Sequence, residues 1–241
     1  MRNFICISEG GALSFRQRMS NFDSDGSPES EWEDRGDVAW NEFDWERYLR
    51  EQEQAVQKYL QFYEAARHST ERIDEVAEKM GWGEDEWTDE SAEESAPRDA
   101  EETPFTDDDV YTLHKNPIFI ATKAIALGLR NDWEKLAVNP AHVPQVLAVS
   151  FLAALQRSEE HATQAIHALD FGDYAMAVSL FKRALNALNG TLALLNSDEV
   201  LESKPLLAWR NEAQPRLFDL REIWLRVTAE CREELDQPLD D

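Results

Sequence analysis

What most limits the fold of this chain is a helical spacing of apolar residues, sustained through most of its length. From about Val38 to Met80 they recur at Trp45, Tyr48/Leu49, Val56, Tyr59, Phe62/Tyr63, Ala66, Ile73, Val76/Ala77 and Met80, a period of about 3.5–3.6 residues. Glu, Arg and Gln fill the other faces. The spacing predicts a long amphipathic helix over 38–81, with Gly81 as its stop. Its apolar face, rich in Tyr and Phe, needs a partner surface, either the rest of this chain or a second copy in a homodimer through the long helix.

Behind residue 110 the same period returns in shorter blocks. Asn116-Pro117 opens a helix whose body, Ile118 to Leu129, is apolar nearly all round, as a central buried helix requires. Asn139-Pro140 or His142-Val143-Pro144 opens the next, through Leu147, Phe151, Leu155, Ala162, Ile166 and Leu169. Gly172 ends it and Asp173 caps the following helix, with Tyr174, Ala177, Val178, Phe181, Leu185, Leu188 and Leu192 on one stripe. Ser197 with Asp198-Glu199 caps a short helix before Pro205. Gln214-Pro215 opens the last, with Leu217, Leu220, Trp224, Val227, Cys231 and Leu235 inward. Strand alternation is absent, and nine Gly and nine Pro are too few for a turn-rich β fold. The expected fold is all-α: an irregular acidic segment over 1–37, the long helix over 38–81, an acidic flexible linker over 82–109, and a multi-helix bundle over 110–241.

The stretch Ala168-Leu169-Asp170-Phe171-Gly172-Asp173-Tyr174-Ala175-Met176-Ala177-Val178-Ser179-Leu180-Phe181-Lys182-Arg183-Ala184-Leu185 resembles the turn and second helix of a tetratricopeptide repeat. Gly172, Tyr174, Ala177, Phe181 and Ala184 fall at that family's spacing. Glycine permits the tight turn, and the small alanines let two helices approach. His161, Ala168 and Asn189 depart from the pattern, and it does not recur about 34 residues away on either side. The resemblance implies one repeat-like helical hairpin, over about residues 158–190, inside a bundle.

Charge narrows the function. The formal net charge is −25, and residues 23–109 carry −22 of it while residues 110–241 carry −5 and residues 1–22 carry +2. Such a chain is a poor ligand for a phosphate backbone, which needs clustered Lys and Arg. Asymmetry of this kind speaks of partners rather than of fold. The N-terminal Phe4-Ile5-Cys6-Ile7 is shorter than a secretory apolar core, and the longest apolar run falls short of the roughly 18 residues of a membrane span. Cys6 and Cys231 form no C-x-x-C pair and suit unpaired thiols in a reducing cytoplasm.

No motif volunteers a reaction, a metal or a cofactor. Asn21-Phe22-Asp23-Ser24-Asp25-Gly26-Ser27-Pro28-Glu29 has the start of a calcium loop, but Trp32 stands where its bidentate Glu belongs. Glu64, His68, Glu71 and Glu75 fall near one helical face, and Glu160, Gln164 and His167 near another, without the Glu-x-x-His pairs of a di-iron bundle. These residues carry the alternative reading, a helical enzyme or metal-binding protein. The leading expectation is a non-catalytic interaction protein with a basic protein partner. Trp32, Trp40, Phe43, Trp82, Trp87 and Phe105 stand in the acidic half as aromatic anchors, to fold back on the bundle or to bind that partner.

Overall fold

A computed structural model describes residues 40–82 and 113–236. It contains seven α-helices among the described residues, α1 Glu42–Ala65, α2 Arg72–Met80, α3 Pro117–Ala137, α4 Gln145–Asp170, α5 Tyr174–Leu195, α6 Asp198–Glu202 and α7 Lys204–Asp236, and no strand. The chain is all-α. The irregular segment over 1–37 and all but the first residue of the 82–109 linker lie outside the described residues.

Three helices, α1, α3 and α5, begin where a side chain satisfies their first free N–H groups. Ser197 stands at the start of α6 but makes no side-chain cap bond there, which corrects the cap expected of it. Asn41 accepts from Phe43 and Asp44 while Asp44 reaches back to the Asn41 N–H, a reciprocal cap. Asn116 accepts from Ile118 and Phe119, with Pro117 at the first turn. Asp173 accepts from Met176. Gly81 (φ +82°) and Gly172 (φ +72°) supply the left-handed residues that close α2 and turn α4 into α5.

The core is built round α3. Ile118, Ile120, Ala121, Ala124, Ile125 and Leu129 are buried, and nearly every face of the helix touches a neighbour. Polar atoms that enter the core find partners, as burial demands. The Trp224 indole donates to Thr122 Oγ1 at 3.0 Å, and Trp133 Nε1 donates to the Ala148 carbonyl at 3.1 Å. The buried Glu159 of α4 accepts from Lys123 at 2.8 Å and Arg130 at 2.6 Å, one cation on each oxygen.

The long helix expected over 38–81 is two helices, and that expectation is corrected here. Residues 66–71 break it: Ser69 Oγ accepts the Glu71 N–H at 3.1 Å and donates to the Glu75 carboxylate, while Arg72 donates to the Arg67 carbonyl within the turn at 3.2 Å. Serine in mid-helix offers the backbone these local alternatives. Ala66 and Ile73 are seven residues apart, about two turns, so the apolar period crosses the break in phase. The broken form lets α1 and α2 lie against the bundle. Tyr59, Tyr63 and Val76 are almost wholly buried in the same core as α3 and α7, so this chain covers its own aromatic stripe.

Two further corrections concern α7. Pro215 does not open it; the helix runs from Lys204 with Pro215 inside. An internal proline removes one hydrogen bond and costs about 3 kcal/mol. Here the unbonded carbonyl belongs to the exposed Asn211, where water can meet it, and the flanking Ala213, Arg216 and Leu217 are buried. Leu235, expected inward, is 49% exposed.

One carboxyl near the end of α7 is held out of its ordinary range. Burial, then the neighbouring Glu233 charge, pushes Glu230 up to about 7 from 4.5, against a smaller pull from Arg226. Its Oε2 is buried with no hydrogen-bond partner among the described residues. Because the folded-state value is the higher one, the unfolded chain sheds this proton first. Stability therefore falls as pH rises from about 4.5 to 7 and levels off above. Glu230→Gln should raise unfolding free energy at pH 8 by about 1 kcal/mol, a figure reduced for partial exposure, and leave it unchanged at pH 4. Urea titrations at the two pH values check this; an equal effect at both removes the charge as the cause.

Candidate functional site

A concavity lies between the antiparallel α4 and α5, on the side away from the core. Both helices turn large apolar residues inward: Phe151, Leu155 and Ile166 on α4, Phe181 and Leu188 on α5. The outward seam is lined by small ones. Ser150, Ala153 and Ala154 of α4 face Ala187 and Gly190 of α5, and the missing side-chain volume leaves a groove of about 590 Å³.

The groove has two unlike ends. Toward the start of α4 it is apolar, with Val149 61% exposed and Leu194 opposite. Toward its middle it is cationic, with Arg157 on α4 and Arg183 on α5, and His161 of α4 lines it between them. Arg157 Nε donates to the Ala153 carbonyl at 3.2 Å. Neither Arg157 nor Arg183 meets a carboxylate among the described residues. The His161 Nδ1 is buried and has no hydrogen-bond partner among them. In a chain with 49 acids against 24 Lys and Arg, two arginines left without an acid at a groove are chemically available.

A second notch, about 390 Å³, lies between α1, α3 and α4 over Val56, Phe119 and Leu127. Its cations, Lys123 and Arg130, are already held by Glu159. That arrangement spans the helices and offers little to a visitor.

The residues singled out from sequence lie elsewhere. Trp82 stacks on Tyr59, ring centroids 5.5 Å apart, at the edge of the core. Trp40 sits edge-on to Trp45 at 5.0 Å and Tyr48 at 5.4 Å, at the start of α1. Phe43 is 74% exposed there. Trp32, Trp87, Phe105 and the loop Asn21 to Glu29 lie outside the described residues.

The carboxylate–histidine sets also come apart. Glu64 pairs with Arg216 at 3.0 Å, His68 lies in the break beside Arg67, Glu71 precedes α2 and Glu75 stands in its first turn, bonded to Ser69, so the single face expected for them is corrected. Glu160, Gln164 and His167 are exposed on α4. Among the described residues no three of His, Cys, Asp and Glu converge as a metal would require. No helix among them is long and apolar enough to cross a membrane.

Sequence reasoning missed the groove because it is made of what is lacking. Its trace was present nonetheless: Ser150, Ala153 and Arg157 on one helix, and Arg183, Ala187, Gly190 and Leu194 on the next, each at three- or four-residue steps. No family model matches the chain, and no curated protein or solved structure is similar enough to it to show a relationship.

Proposed function

We propose that this chain is a non-catalytic interaction protein, an adaptor or regulator that engages protein partners through the α4–α5 groove and through its acidic half. The observation that carries the reading is the groove itself, with Arg157 and Arg183 beside it and without acid partners among the described residues. The packing of the hairpin supports a likeness to a tetratricopeptide unit, since Ala177, Phe181 and Ala184 are fully buried in its seam. Its helices are longer than a repeat of about 34 residues allows for two, which favours one hairpin built into a bundle. The −22 carried by residues 23–109 suits a basic partner at a second place on the chain. The buried thiol of Cys231 fits a reducing, cytoplasmic setting.

The test uses the full chain as bait, with the Arg157→Glu/Arg183→Glu double variant beside it. Partners that depend on the groove should fall at least about 10-fold in recovery with the variant, as loss and reversal of two exposed charges that contact the partner implies. An identical set of partners from both baits would overturn the groove as an interaction site.

A further inference from the structure

A glycine in the middle of a helix is a cost that asks for a return, about 0.5–1 kcal/mol against alanine. The chain has two such residues among its described helices. Gly128 in α3 is explained by packing: a Cβ there would stand 3.0 Å from Leu60 Cδ1 and 3.4 Å from an Arg216 guanidinium nitrogen, so glycine is what lets α1 cross. Gly190 in α5 has ordinary helical backbone, is exposed, and would meet nothing within 4 Å if given a Cβ. Nothing among the described residues uses the space it leaves. It lies on the floor of the α4–α5 groove, opposite Ser150 and Ala153.

We infer that the groove is the docking site for a helix of another protein, three to four turns long, apolar at one end and acidic at the other. This rests on the interaction reading above and gives that groove its partner class. The length follows from the walls: Val149 to His161 on α4 spans about 18 Å at 1.5 Å per residue. The helical form follows from the floor, since small residues on two antiparallel helices let a third backbone seat closely between them. The sign follows from the cationic end, where Arg157 and Arg183 offer guanidinium groups. A carboxylate brought there gains charge-assisted hydrogen bonds that these side chains do not make to any described acid. The face is opposite in sign to the acidic half, so one chain would hold two partners of opposite charge.

The test uses the full-length chain and a fluorescent, hydrocarbon-stapled peptide of 14 residues. The peptide carries a Leu/Ala stripe with Glu flanking its C-terminal half, and a second version replaces each Glu by Lys. Anisotropy should show the Glu peptide binding at least about 10-fold tighter than the Lys peptide, with the difference shrinking as salt is raised. Arg157→Glu/Arg183→Glu should reverse that order. Gly190→Phe should weaken the Glu peptide at least about 10-fold, while circular dichroism remains that of the parent and the melting temperature does not fall, because the added ring enters open space and the helix loses a glycine. Equal binding of the two peptides, or a Gly190→Phe variant that binds the Glu peptide as before, overturns the inference. So does a dimeric mass by light scattering that becomes monomeric with Gly190→Phe, which makes a second copy the occupant. If the peptides fail yet the double arginine variant still loses partners in the bait experiment, the interaction reading stands and the acidic helix falls.

Discussion

Trp133→Ala should lower the unfolding free energy by about 3–5 kcal/mol, the range for deleting a fully buried indole. For a domain whose whole stability is of order 5–15 kcal/mol, that is a large share. Trp133 is fully buried where α3, α4 and α7 meet, its ring 4.6 Å from Phe151 and 4.5 Å from Trp209 between centroids. Three contributions vanish together: the burial of the indole, its aromatic contacts, and the bond from Nε1 to the Ala148 carbonyl. The neighbours sit on two other helices, α4 and α7, so they cannot close the void by one small shift, and the cavity cost stays high. Phe43→Ala is the control, since that ring is 74% exposed and its loss should stay within about 0.5 kcal/mol. Urea unfolding of both variants decides. A loss under 1 kcal/mol for Trp133→Ala would show that the three-helix junction relaxes and does not anchor the bundle.

How much of this was legible in the sequence depends on whether a feature is local. The caps at Asn116, Asp173 and Gly81 are, because a side chain or a glycine within a few residues satisfies the helix end. So are Phe151, Phe181 and Trp224, whose spacing places them on inward faces. The break over 66–71 is not, since seven residues preserve helical phase and only the Ser69 and Arg72 bonds reveal the turn. Pro215 misled for a related reason: a proline marks a start when nothing upstream is helical, and what makes 204–214 helical is burial of Leu206 and Ala213 against distant residues. Periodicity likewise shows that Tyr59 and Tyr63 need covering but not by what. The groove is harder still. Aromatic residues stand out in a sequence and drew attention to Trp40 and Trp82, whereas Ser150, Ala153 and Gly190 become a site only when two helices set their small residues side by side.

Asp219→Ala should cost about 2–4 kcal/mol and should act mainly on how α1 and α2 are held. The Asp219 carboxylate on α7 accepts from the Tyr63 hydroxyl of α1 and from the Arg72 guanidinium of α2, with the Arg72 and Asp219 side chains 12% and 15% exposed. Burial first, and then the Asp219 charge, pushes the Tyr63 phenol well above its ordinary range, so it remains a donor at any pH the fold survives. Removing the carboxylate leaves a buried hydroxyl and a nearly buried cation without their acceptor, and it is this orphaning that is costly. The full cost of breaking a buried ion pair is about 3–5 kcal/mol, reduced here because Asp219 keeps some contact with water. Arg226 with Asp74, at 2.7 Å, is a second tie between α7 and α2 and keeps the variant folded. Amide exchange should therefore rise over 67–80 more than over 174–195, which lies in the α4–α5 hairpin. Asp219→Leu combined with Arg72→Met should recover much of the loss, because an apolar pair of similar bulk leaves no charge behind. A double variant as unstable as Asp219→Ala would mean that the shape of this contact, not its charge, holds the two N-terminal helices to the bundle.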